Sequence, residues 1–185
     1  MNKFNFLLIL LFILPLFTFA QNQSDTSATT ESSLNQWKIH TTDEFEIQYP
    51  PNWELNTSGQ MGTSFILFSP LEDEQDQFKD NINLLIQDLT GYNLDLDQYV
   101  KISEEQVMTM FKGSKFIVNE RQQGESHEFH EFIYEGKQGI FDLKFKQYFW
   151  VIGEKAWILT FTCEQSKFEE YQANGELILN SFKLK

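Results

Sequence analysis

A chain of 185 residues holds one ordinary domain, and with 41% hydrophobic and 16% aromatic residues it can build a core without disulfide or metal staples. Its formal net charge of −13 and isoelectric point near 4.6 argue against a nucleic-acid partner. Counter-ion release from phosphates needs clustered Lys and Arg, and here Arg121 stands alone among scattered lysines. Such acidity keeps a chain soluble; the sharper alternative is a basic partner or loosely held cations.

The first twenty residues form a separate unit. Lys3 is their only charge, and Phe6 to Phe19 is apolar except for Thr18, with Pro15 inside the run. Thr18-Phe19-Ala20 supplies small residues where a signal peptidase reads, which predicts a secretory leader at 1–20, cleaved after Ala20. The run falls short of the roughly 20 apolar residues of a membrane anchor, so no stable span is expected once the leader is removed. No Cys follows it, which closes the lipoprotein route. Residues 21–36 are rich in Ser, Thr, Gln and Asn and read as a flexible tether, leaving 37–185 as the domain.

Short strands come next. Phe45, Ile47 and Tyr49 alternate with Glu46 and Gln48 until Pro50-Pro51 stops the run. Trp53 to Leu55 starts a second strand, with a turn at Gly59 and Gly62. Ser64 to Phe68 reads as a strand covered on both faces, and Asn81 to Leu89 puts Ile82, Leu84 and Ile86 on one side. Leu96, Val100, Ser103, Val107 and Met110 then recur at helical spacing, with an Asp95/Gln98 capping box before them and Gly113 after. Four more strands follow at Lys115–Asn119, His127–Glu135, Ile140–Val151 and Lys155–Cys163. In the third, Phe141, Leu143, Phe145 and Phe149 share one face, opposite Lys144, Lys146, Tyr148 and Trp150. The last helix is expected to start at a Ser166/Glu169 capping box, carry Phe168, Tyr171, Ile178 and Phe182, and break at Gly175. Short connections favour an antiparallel sheet with helices over it, an α+β sandwich.

The order of these elements resembles the PsbP-like family, named for an extrinsic photosystem subunit. The residues that carry the likeness are Phe45-Glu46-Ile47-Gln48-Tyr49-Pro50-Pro51-Asn52-Trp53, then Phe68-Ser69-Pro70 and Asp80 to Leu84, and finally Ala156 to Thr162 and Ser181-Phe182. The resemblance spans Trp37 to Lys185. It implies an α/β/α sandwich around a mainly antiparallel sheet, an exported accessory role, and a link to calcium in the photosynthetic members. It supplies no catalytic residues.

Candidate chemistry is sparse. His127 and His130 are three apart on a strand pattern, so they face opposite sides and one ion cannot take both. Glu72, Asp73 and Asp76, with Asp80 nearby, offer hard oxygens for a weak calcium site but lack EF-hand spacing. Lys144, Lys146, Tyr148 and Trp150 offer an interface, or else lie beneath a helix. Cys163 has no cationic neighbour in sequence and reads as inert packing. The sequence therefore predicts an exported, non-enzymatic accessory protein that binds an unknown envelope protein. It needs no cofactor beyond a possible weak calcium, and the alternative is a divalent-cation or small-ligand binding module.

Overall fold

The computed structural model describes residues 37–185, so the leader, the cleavage site after Ala20 and the tether lie outside the described residues. In chain order come β1 (Lys38–Thr41), β2 (Phe45–Tyr49), β3 (Glu54–Asn56), β4 (Thr63–Phe68), β5 (Asn81–Asp88), α1 (Leu96–Met110) and β6 (Phe116–Gln123). Then follow β7 (Glu128–Gln138), β8 (Phe141–Ile152), β9 (Lys155–Glu164), α2 (Phe168–Asn180) and β10 (Lys183–Leu184). Seven strands form an antiparallel sheet in the order β3-β4-β5-β9-β8-β7-β6. A second, three-stranded sheet runs β1-β2-β10.

Alternation along the strands divides the side chains between two cores. On β8, Leu143, Phe145 and Phe149 enter the core that holds Tyr99, Val100 and Val107 of α1. Tyr148 and Trp150 enter the other, with Phe168, Ile178 and Leu179 of α2 and Phe45, Ile47 and Tyr49 of β2. The two-residue period of β8 thus sends each face to its own layer.

Helix α1 begins as its sequence dictates: Asp95 accepts from Gln98 N at 2.8 Å and Gln98 answers at 3.0 Å, a complete capping box. It ends at Met110, and Gly113 takes φ of 89° in the turn beyond. Helix α2 departs from expectation twice. Lys167 stands at its N-cap without a side-chain cap, so Ser166 and Glu169 form no capping box. Gly175 does not break it, because the residue marks where the helix touches the sheet. A Cβ there would lie 2.7 Å from Phe161 Cε1, and Phe161 is fully buried. Gly175→Ala should therefore lose about 1–2 kcal/mol despite the better helix propensity of Ala, because overpacking a rigid ring outweighs it. Denaturant titration tests this; a gain in stability would mean that the ring yields.

The small sheet was absent from the sequence reading. β2 was expected, but its partners β1 and β10 have four and two residues, too few for a periodic signal. They meet β2 through Lys38↔Tyr49 and Lys183↔Glu46. Ser181 locks this corner, accepting from Gln48 N at 2.9 Å and donating to Ile178 O at 2.7 Å.

Candidate functional site

The strand period places Lys144, Lys146, Tyr148 and Trp150 on one face of β8, as expected, but that face is covered. Tyr148 is 6% and Trp150 8% exposed. Trp150 packs on Phe129 and on Phe182, just past α2, with centroids 5.5 Å apart in both pairs. Side chains so enclosed present little area to a partner; of the two alternatives the sequence left open, an interface or a face beneath a helix, the structure shows the second for Tyr148 and Trp150. The physical reason is α2, whose apolar stripe needs a surface and takes this one.

Charge joins α2 to that face. Lys146 Nζ lies 3.0 Å from Glu131 Oε1 on β7 and bonds Glu176 Oε1 on α2. Burial disfavours its charge, but the hydrogen bond it donates to Glu176 and its contacts with Glu131 hold the lysine pKa above its usual range. Desolvation likewise opposes the Glu176 carboxylate, and Lys146 with Gln172 overcomes it, leaving the acid below its ordinary range. Tyr148, beside this triad, is pushed up to about 12, chiefly by burial. Lys144 sits 3.7 Å from both Glu135 and Glu169 and 4.5 Å over the Phe168 ring.

The acidic loop is also tied to α2. Asp73 Oδ1 accepts from Gln75 N at 2.7 Å and Asp76 N at 3.0 Å, while Asp76 takes Glu72 N and Phe78 N. These are turn-stabilising bonds of acidic side chains to nearby amides. Lys167 then places one ammonium 3.2 Å from Glu72, 3.5 Å from Asp76 and 3.4 Å from Glu164, and Tyr171 OH donates to Glu72. A calcium shell takes six to eight oxygens converging on one point. Here the oxygens of Glu72, Asp73 and Asp76 are turned to backbone amides and a resident lysine. Among the described residues no group of three or more His, Cys, Asp or Glu could hold a metal ion.

Asp80, 5% exposed, lies behind the loop against the Cys163 thiol, and burial raises its carboxyl to about 6. Cys163 is free and fully buried; desolvation and the Asp80 charge push its thiol well above the ordinary range, the opposite of an activated nucleophile. His127 is exposed in the turn before β7. His130 is buried, with Nε2 2.7 Å from Asn119 Oδ1, so the two histidines do not share a site. The sequence reading missed the Lys146 triad and the Lys167 bridge, because their members come together only through register and helix docking.

No protein-family model matches the chain, and no curated protein matches it. Solved structures do. The solution structure of cyanobacterial PsbP from Synechocystis sp. PCC 6803 aligns with a TM-score of 0.60 at 10% identity, over 86% of this chain and 98% of that one. LpqN of Mycobacterium tuberculosis, described as involved in cell envelope biogenesis, aligns at 0.63 and 12% identity, over 81% and 91%. PA94 of Pseudomonas aeruginosa, described as a protein of unknown function, aligns at 0.56 and 14%, over 78% and 94%. The fold is PsbP-like, as the resemblance in sequence implied.

Proposed function

We propose that the mature chain is an exported, non-catalytic accessory protein of the cell envelope that binds another protein during assembly or upkeep of an envelope complex. The observation that carries this reading is the fold held in common with LpqN and cyanobacterial PsbP, the first described by its role in envelope biogenesis. The secretory pattern of residues 1–20 and the polar tether agree with it. A divalent cation would have to displace Lys167 from Glu72 and Asp76, so the cation reading has less support.

With the α2 face covered, the surface offered to a partner is the C-terminal end of α1 and the strands beside it. Phe111 lies against Gly136 and Ser114 Oγ donates to Glu135 O at 2.5 Å, which fixes that end over β7. Met108 and Met110 in the last turn of α1, Ile117 on β6 and Ile140 in the β7–β8 turn are exposed large apolar residues. Apolar side chains rimmed by polar ones suit a protein partner. The test is photo-crosslinking in cells, with the reactive residue placed at Met110 or Ile117 and, as control, at exposed Glu125. One dominant protein adduct from the first two sites and none from the third is expected. Adducts that are absent, or equal at all three, would overturn the reading.

A further inference from the structure

The layer between α1 and the seven-stranded sheet holds polar groups that the fold leaves without partners. Asn81 Oδ1, His130 Nδ1, Tyr134 OH and Gln147 Oε1 are buried and have no hydrogen-bond partner within the protein. Their side chains lie on the α1 face, in step with Leu85, Phe132, Phe145 and Phe149 of the α1 core. Register sets them among further polar residues: Asn81 opposite Thr162, Asn83 opposite Thr160, and Thr160 opposite Gln147. All five of these are buried, and only Gln147 Nε2 to Thr160 Oγ1, at 3.0 Å, bonds within the row. Among the described residues the α2 face has no such orphan. A buried polar atom without a partner has lost its hydration with no return, so a closed α1 is held against an opposing force.

We propose that α1 is a displaceable cover over a binding platform for an uncharged, hydroxyl-rich molecule, which supplies the missing hydrogen bonds when the helix lifts. The row is made of amides and hydroxyls, which donate and accept in the manner of a polyol. No side chain in the row is charged, which suits an uncharged ligand; the charges that act on His130, those of Arg121, Asp97, Glu104 and Glu120, lie outside the row. The flanking rings of Phe132, Phe145 and Phe149 give the C–H faces of such a molecule an apolar wall. The attachment of α1 fits a cover. Its polar ties include Arg121 to Asp97, Tyr99 OH to Gln87 at 2.5 Å and, just past its end, Ser114 Oγ to Glu135 O, whereas α2 is joined to the sheet by the ion pairs of Lys146 and Lys144 along its length. The proposal does not rest on the protein-binding surface above, although Met108 and Met110 of that surface lie on α1 and would move with it.

Amide hydrogen exchange of residues 21–185 tests the proposal, with glycerol, glucose and maltose as probes. Amides of Leu96–Met110 should exchange well ahead of those of β8 and β9, and at least one probe should slow α1 about tenfold without slowing the sheet, which separates binding from general osmolyte stabilisation. Tyr134→Phe, which removes only an unpartnered hydroxyl, should raise α1 protection about tenfold and raise Tm. Gln147→Leu should abolish the probe effect. The proposal is overturned if α1 exchanges only with the whole sheet, if no probe protects it selectively, or if Tyr134→Phe lowers Tm.

Discussion

Lys146→Met is expected to lower the unfolding free energy by about 3 kcal/mol at neutral pH, the low end for breaking a buried ion pair because Glu176 keeps some contact with water. The side chains of Lys146 and Glu131 are 7% and 12% exposed, and that of Glu176 is 33% exposed. Methionine keeps the volume and removes the charge, so two carboxylates are left facing each other beneath α2. In the parent chain the folded Glu176 binds its proton less readily than the unfolded one. Its contribution is therefore present above its ordinary carboxylate range and lost as pH falls through the depressed folded value. In the variant the two acids repel, protonation relieves them, and the deficit should shrink on acidification. Urea titrations at neutral and acidic pH measure it. A deficit that does not change with pH would mean that Lys146 acts through packing alone. Adding Glu131→Gln and Glu176→Gln to Lys146→Met should recover most of the loss at neutral pH.

That triad also marks the limit of what the sequence disclosed. Alternation along β8 correctly divided Phe141, Leu143, Phe145 and Phe149 from Lys144, Lys146, Tyr148 and Trp150, because side-chain direction follows from the strand period alone. What covers each face does not follow from it. Asn81, Asn83, Thr160 and Thr162 share the other side of their strands from Ile82, Leu84 and Phe161, and their polarity does not disclose that each is buried on the α1 side of the sheet. Helix α1 was legible to the residue, since its capping box is local. The N-terminus of α2 was not, because Lys167 is drawn to Glu72, Asp76 and Glu164 by contacts made in the folded chain. The acidic loop illustrates the same point: hard oxygens were readable, but the lysine among them belongs to a distant element. Local rules thus gave elements and faces, and tertiary contacts decided which polar groups face water.

Asp80→Asn is expected to act in the other direction and stabilise the chain by about 1–3 kcal/mol at neutral pH. Burial raises the Asp80 carboxyl to about 6, against an ordinary value of 3.8, so the folded chain binds this proton more tightly than the unfolded one. Two pK units correspond to about 3 kcal/mol at most. A raised acid contributes its stability fully below its unfolded value and loses it as pH rises through the folded value. The gap between variant and parent should thus be small near pH 4, open through about pH 6 and level off above it. Loss of the Asp80 charge also removes one neighbour of Lys167, but Glu72, Asp76 and Glu164 remain, and that sets the lower figure. The isosteric amide keeps a hydrogen-bonding group against Cys163 and leaves the Asp80 carbonyl, which takes Ser69 N at 2.8 Å, as main chain. Paired denaturant titrations between about pH 4 and 8 read the difference directly, cancelling carboxylates such as Glu176 that respond with opposite sign. A destabilised variant at every pH would show that Asp80 serves Lys167 as a needed anion, and the desolvation argument for its raised carboxyl would then fail.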